Sequence, residues 1–255
     1  MCLILLAYKT HPDFPLIVIA NRDEYYQRPT QNTHWWPEQS NLLAGKDLQS
    51  GGTWLGINRC GNFSAITNVR EKTSTTEILR SRGHLPLAYL TENFSDSAFQ
   101  KRLMATKSEY RGYNLIFGSI RQLQYFSNRI RTPVKLQPGL YGLSNAQLDT
   151  PWPKVERAKH KLSNLIKTST VRPGDLFEIL DDMHIFPDSL LPDTGISLEF
   201  ERLLSAVCIS GEDYGTRSSS VLLIDNNNRV TLHEKVRAPE RGPLIEFTFQ
   251  INADA

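Results

Sequence analysis

The stretch MCLILLAYKTHPDFPLIVIANRDE, residues 1–24, decides how the rest of the chain is read. Residues 2–8 and 16–21 are two apolar runs, and His11-Pro12-Asp13-Phe14-Pro15 lies between them. Two prolines and an Asp in that space make a turn, so the runs fold back as a β-hairpin. An apolar run this close to the amino terminus also invites a secretory reading. That reading needs a basic segment first, then an apolar core of about 7–15 residues and small residues for cleavage. Here no Lys or Arg precedes Leu3, and the run stops at Lys9. The expectation is a buried first strand and a cytoplasmic protein.

Outward from the hairpin, strands are expected at residues 42–45, 53–58 and 63–68, the last two joined by the turn Arg59-Cys60-Gly61-Asn62. Helical spacing marks residues 84–89 and 97–104. Residues 113–119, 124–126 and 140–144 read as further strands. Pro151-Trp152-Pro153 opens a helix over 154–166, whose Val155, Ala158, Leu162, Leu165 and Ile166 share one face. Pro173-Gly174-Asp175 opens another over 176–183. Residues 187–195 hold two prolines and a glycine and read as an excursion or lid. Strands return at 206–210, 219–225, 230–234 and 245–251. Strands, then helices, then strands is not the βα alternation of a parallel sheet. The order predicts antiparallel sheets covered by helices, an α+β sandwich, in one domain over residues 1–255.

The 255 residues carry 29 Lys+Arg and 27 Asp+Glu, a formal net charge of +2. A dedicated nucleic-acid binder shows a stronger basic excess, so nucleic acid is not an expected partner. No apolar run approaches the roughly 18 residues of a membrane span. Cys2, Cys60 and Cys208 are too few and too scattered for a disulfide framework, and they lack zinc-site pairing. The six histidines never fall at i, i+4 spacing, so no metal site is expected.

Four places can carry chemistry. If Met1 is removed, Cys2 offers a thiol and, on the same residue, an α-amine of pKa about 7.7–8.0 able to act as its base. The commoner fate of a free Cys is a small buried hydrophobe. Asn21-Arg22-Asp23-Glu24 ends the second strand, and the hairpin brings Asn21 to Asp23 near Cys2; a solvated strand end is the plainer account. Asn68 and Asn145 close strands, where a side-chain amide can donate to a developing oxyanion or simply make a turn. Arg217, in Tyr214-Gly215-Thr216-Arg217, is either an exposed loop residue or a clamp. Trp35 and Trp36, with Tyr25 and Tyr26, are expected to line an apolar pocket mouth beside the tetrad. The candidate substrate-binding set is Asn21, Trp35, Trp36 and Trp54.

Taken in order, several segments resemble one family. They are Met1-Cys2 with its apolar strand, Asn21-Arg22-Asp23-Glu24 with Arg28-Pro29, and Gly51-Gly52-Thr53-Trp54-Leu55-Gly56. Thr67-Asn68, Ser81-Arg82-Gly83, Tyr113-Asn114-Leu115 and Gly142-Leu143-Ser144-Asn145 follow, then Trp152-Pro153-Lys154 and Tyr214-Gly215-Thr216-Arg217. The chain resembles the NRDE family, also called the transport and Golgi organization protein 2 family, which is similar to N-terminal-nucleophile hydrolases of the penicillin V acylase and bile-salt hydrolase type. The resemblance implies a four-layer αββα sandwich and cleavage of a non-peptide amide by Cys2. It implies that Arg22 and Asp23 support the nucleophile, that Asn68 and Asn145 line the oxyanion site, and that Arg217 holds the charge environment. Those acylases separate the Arg and Asp by two residues, whereas Arg22 and Asp23 are adjacent. Strand neighbours face opposite ways, so Asn21 and Asp23 are expected to share the site while Arg22 turns away, unless the strand has ended. The family's biology implies a second class of function, a haem or acyl-chain carrier on the same scaffold, with no cofactor required and haem as a candidate bound ligand. A small-molecule amide, haem or an acyl ligand is the expected partner.

Overall fold

The structure is a computed structural model that describes residues 2–71, 79–168 and 170–252. Met1 lies outside them. The opening hairpin is there: β1 (Cys2–Tyr8) pairs antiparallel with β2 (Leu16–Tyr25), Leu6 opposite Val18. Both strands are buried on both faces, so the pair lies deep in a sheet, between β10 (Gly139–Leu143) on one side and β11 (Tyr214–Ile224) on the other. β12 (Arg229–Val236) and β13 (Leu244–Gln250) complete this six-stranded antiparallel sheet, in the order β10-β1-β2-β11-β12-β13.

The second sheet has seven strands in chain order, β3 (Thr30–Trp36), β4 (Gln39–Asp47), β5 (Leu55–Asn58), β6 (Asn62–Asn68), β7 (Tyr113–Ser119), β8 (Gln122–Ser127) and β9 (Val134–Lys135). Alternation along the strands builds three cores. Ile4, Leu6 and Val18 face the second sheet and meet Ile57, Phe63 and Ile116. Leu3, Leu5, Ile17 and Ile19 face outward onto α3 (Pro153–Leu165) and α4 (Pro173–Leu180), through Val155, Leu162 and Leu176. On the far side, Leu115 and Phe117 meet Leu85 and Tyr89 of α1 (His84–Thr91) and Phe99 and Leu103 of α2 (Asp96–Thr106). Helix, sheet, sheet, helix is the layering, an α+β sandwich.

Local structure departs from the sequence reading in places. Residues 30–36 form strand β3, where the sequence marked no element; its polar start, Thr30-Gln31-Asn32-Thr33, hides the β pattern. Residues 206–210 are apolar but make no strand, because their backbone is spent elsewhere. The Cys208 N–H donates to Asp182 O, the Ile209 N–H to Thr216 Oγ1, and the Thr216 N–H to Ile209 O. A short helix, α5 (Leu198–Leu203), occupies the preceding stretch. Ser197 caps it by accepting from the Phe200 N–H, and Glu199 and Glu201 sit in its first turn. That capping signal was legible in the sequence. The excursion over 187–195 is tied down, since the Thr194 N–H and hydroxyl both bond Glu201 Oε1. No helix among the described residues is long and apolar enough to cross a membrane.

Candidate active site

Cys2 opens β1 and stands opposite Arg22 in the ladder. Counting from Ile4 and Leu6, Cys2 faces the space between the sheets; counting from Val18 and Ala20, so does Arg22. There they line a cavity of about 120 Å³, together with Asp23, Glu24, Arg28, Asp47, Thr53, Trp54, Ile66, Thr67, Asn68 and the loop Ser81-Arg82-Gly83. The expected parity is therefore reversed. Arg22 shares the face of Cys2, and Asn21 is turned the other way. Asn21 is fully buried under the helices, donating to Leu180 O at 2.9 Å and Val207 O at 2.8 Å and accepting from Ser219 Oγ. It is a bolt between sheet and helix layer, not a cavity residue.

Asp23 follows Asn21 toward the helix side, yet its main chain stays at the cavity. Its N–H bonds the Cys2 sulfur. Its carboxylate accepts from Thr216 Oγ1 at 2.7 Å, and its carbonyl accepts from Tyr214 OH at 3.1 Å. The ladder slips between Thr216 and Ser218, making a bulge at Arg217. Burial holds the Asp23 carboxyl above its ordinary range, with the nearby Lys154 ammonium pulling it back. Lys154, from the first turn of α3, is itself buried. It donates to Leu204 O at 2.8 Å, and desolvation lowers its pKa to about 8, against the pull of Asp23. Burial likewise lifts the Cys2 thiol above its usual value. The Asp23 charge adds to that, while the Asp23 N–H and the Arg22 charge oppose it. The thiol needs a base to react, since the thiolate is the nucleophilic form.

Asn68 ends β6 and lines the cavity. Asn145 does not. It is fully buried one step behind, and its Nδ2 donates to both Asn68 Oδ1 (3.0 Å) and Asn68 O (3.1 Å). With Oδ1 taken, the Asn68 NH2 is the end left for the cavity. Ser144 adds a second link, donating to Asn145 Oδ1 and to Cys2 O. Asn145 is thus a positioning residue, where a direct oxyanion donor was expected.

Arg217 also departs from expectation. It donates to Ala238 O, Tyr25 O and Arg28 O, each at 2.9 Å, and so ties the end of β2 to two loop carbonyls rather than lining the cavity. Trp35 and Trp36 are strand neighbours and part company. Trp35 packs on Phe247 and Phe249 with Arg59 over its ring, and Trp36 is buried, bonded to Ala44 O. Tyr25 is exposed and meets Tyr214 edge-on. None of these is in the cavity wall. Trp54 is: the Arg22 guanidinium lies 4.1 Å from its ring centroid.

Sequence reasoning assigned no role to Arg28, Asp47, Arg82 or Lys154, although three of them sit in quoted segments. Arg28 bonds Asp47 at 2.7 and 3.2 Å and Ser50 at 3.0 Å. The Thr53 N–H bonds Gly83 O, and a Cβ on Gly52 would come within 2.5 Å of the Gly83 carbonyl carbon. The glycines let two rim loops touch and bring Arg82 to the opening. Among the described residues, no group of three or more His, Cys, Asp or Glu could hold a metal ion.

The family model described as Transport and Golgi organisation 2 matches residues 1–239. Among similar proteins, a Transport and Golgi organization 2 homolog from Mus musculus is 32% identical over 257 residues, and the Bos taurus homolog 34% over 260; each alignment covers 92% of both chains. Among solved structures, conjugated bile acid hydrolase from Clostridium perfringens, as its C2A mutant, aligns with a TM-score of 0.55 at 10% identity, over 99% of this chain and 98% of that one. Penicillin V acylase from Agrobacterium tumefaciens aligns at 0.54 with 11% identity, over 98% and 86%. At such identities the likeness is one of fold.

Proposed function

We propose that the chain, which belongs to the Transport and Golgi organisation 2 family, is an amidohydrolase that uses Cys2 as an amino-terminal nucleophile after Met1 is removed. The observation that carries this reading is the convergence at one cavity of Cys2, the Asp23 N–H on its sulfur, Arg22 opposite it, and the amide of Asn68. The fold neighbours are hydrolases of that architecture.

In this reading the freed α-amine takes the thiol proton, and Sγ attacks an amide carbonyl. A C–S bond forms as the carbonyl oxygen becomes an oxyanion, to which Asn68 Nδ2 donates. Collapse breaks the C–N bond, and the protonated α-amine returns its proton to the leaving amine. Water then cleaves the thioester, releasing a carboxylic acid and restoring the thiol. Arg22, buried and bearing a fixed charge, favours the thiolate. The cavity does not favour the haem or acyl-chain carrier alternative: about 120 Å³ walled by charged groups is well below the roughly 300–1,000 Å³ of an apolar ligand cleft.

Intact mass and turnover test the proposal together. The mature protein should lack Met1, and a panel of small amides should include one cleaved by the wild type and left whole by Cys2→Ala. A chain that keeps Met1 has no free Cys2 amine, and the mechanism falls.

A further inference from the structure

Six charged residues line the Cys2 cavity, and they are not evenly matched. Asp47 is spent on Arg28. Glu24 accepts from the Tyr25 N–H and lies 3.9 Å from Arg28. The Asp23 carboxylate is bonded to Thr216 and turned toward Lys154. Two guanidinium groups remain. Arg22 is only 6% exposed, forms no ion pair among the described residues, and its buried Nη1 has no hydrogen-bond partner there. Its guanidinium lies over the Trp54 ring instead. Arg82 makes a single hydrogen bond, Nη1 to Gly112 O at 3.1 Å, and no ion pair among the described residues.

A buried guanidinium with open donors is costly unless something anionic completes it. Arg22 lies over the Trp54 ring, and Arg82 is carried on a loop pressed against Gly52, so neither is a freely moving surface side chain. The guanidinium fork suits a planar or tetrahedral oxyanion, which takes two N–H donors at once. Cys2 opposes Arg22 in the ladder, so the anion would sit beside the nucleophile rather than at a remote patch.

We infer that Arg82, together with the open donors of Arg22, forms an oxyanion subsite, and that the substrate is an amide bearing a carboxylate or phosphate group next to the scissile bond. This rests on the amidohydrolase reading, and it makes Arg82 the specificity-determining residue of that site. The small cavity limits the distance between the two groups: an anion one or two bonds from the amide fits, and one at the end of a long chain would lie outside.

The test separates binding from turnover. Cys2→Ala protein is titrated by ligand-detected NMR with N-acetylglycine, its neutral counterpart N-acetylglycinamide, and N-acetylaminomethylphosphonate, whose phosphonate, two bonds from the amide nitrogen, stands in for the phosphate. The carboxylate or the phosphonate ligand should bind at least about tenfold more tightly than the neutral one, and the tighter of the two names the anion. Adding Arg82→Leu should bring charged and neutral ligands within about threefold of each other, and Arg82→Lys, which keeps the charge and loses the fork, should fall between. Unchanged thermal unfolding of the Arg82 variants shows that the fold is intact. Equal binding of charged and neutral ligands, no binding of either, or a preference that survives Arg82→Leu overturns the inference. Turnover by the wild type is read separately. Anion-selective binding without cleavage leaves the subsite standing and removes the amidohydrolase; cleavage indifferent to charge does the reverse.

Discussion

On the amidohydrolase proposal, Asn68 and Asn145 divide one task between them, and the division sets what each substitution should do. Only Asn68 faces the cavity, so Asn68→Ala should lower kcat by about 10²–10³ at little cost in stability. Asn145→Ala should also lower kcat, because among the described residues nothing else holds the Asn68 amide by its oxygen, and it should cost stability too, since Asn145 is fully buried. Steady-state kinetics and urea unfolding of both variants check the split. Lys154 supports a pH prediction. Its folded-state pKa is about 8, below the roughly 10.4 of an unfolded lysine. Between these values the unfolded chain holds a proton that the folded chain has lost, so this lysine makes stability rise with pH there and adds no slope below about pH 8. Relative to Lys154→Met, the wild type should gain about 1–2 kcal/mol between pH 8 and pH 9.5. The comparison with the variant matters because the thiols of Cys2 and Cys208, raised by burial, act in the opposite sense over that range.

Among the elements, β2 and the loops facing it show how sheet geometry makes a site. β2 runs through the whole tetrad to Tyr25 instead of ending at Asn21. Alternation therefore continues, and it assigns Arg22 to the inter-sheet face and Asn21 to the helix face. The adjacency of Arg22 and Asp23 works because Asp23 offers its N–H to the sulfur while its carboxylate points away. Trp54 depends on β4. A Cβ on Gly45 would lie 2.2 Å from the Trp54 ring, so Gly45→Ala should push the indole aside and unseat Arg22. The expected result is a change in the Trp54 contribution to fluorescence and a loss of turnover, with the far-UV circular dichroism kept. Wild-type fluorescence and activity in Gly45→Ala would mean that the Trp54 shelf has no part in the site.

The molecule as a whole is held by a core between two sheets and by a helix layer on each. Leu222 belongs to the inter-sheet core and is fully buried. Leu222→Ala should cost about 2–5 kcal/mol. If residues 1–255 fold as one unit, the loss should appear as an earlier single transition, seen alike by tryptophan fluorescence and circular dichroism. Separate transitions would divide the chain. The sequence by itself determined the opening hairpin, the strand-helix-strand order and hence the layers, because runs of apolar residues and their punctuation are local signals. It also singled out Cys2, Asp23, Asn68 and Trp54, by the position after Met1, the polar tetrad, an amide closing a strand and a Gly-Gly turn. Only the tertiary structure decided which of the marked residues meet. Trp35 and Trp36 left the site because strand neighbours point apart. Arg217 became a loop clamp because a bulge in β11 turns it onto carbonyls 21, 189 and 192 residues away in sequence. Arg82 reached the cavity, and Lys154 the neighbourhood of Asp23, because the segment just before α1 and the first turn of α3 approach the β1–β2 pair. Such convergence is set by packing across long sequence separations, and no local pattern encodes it.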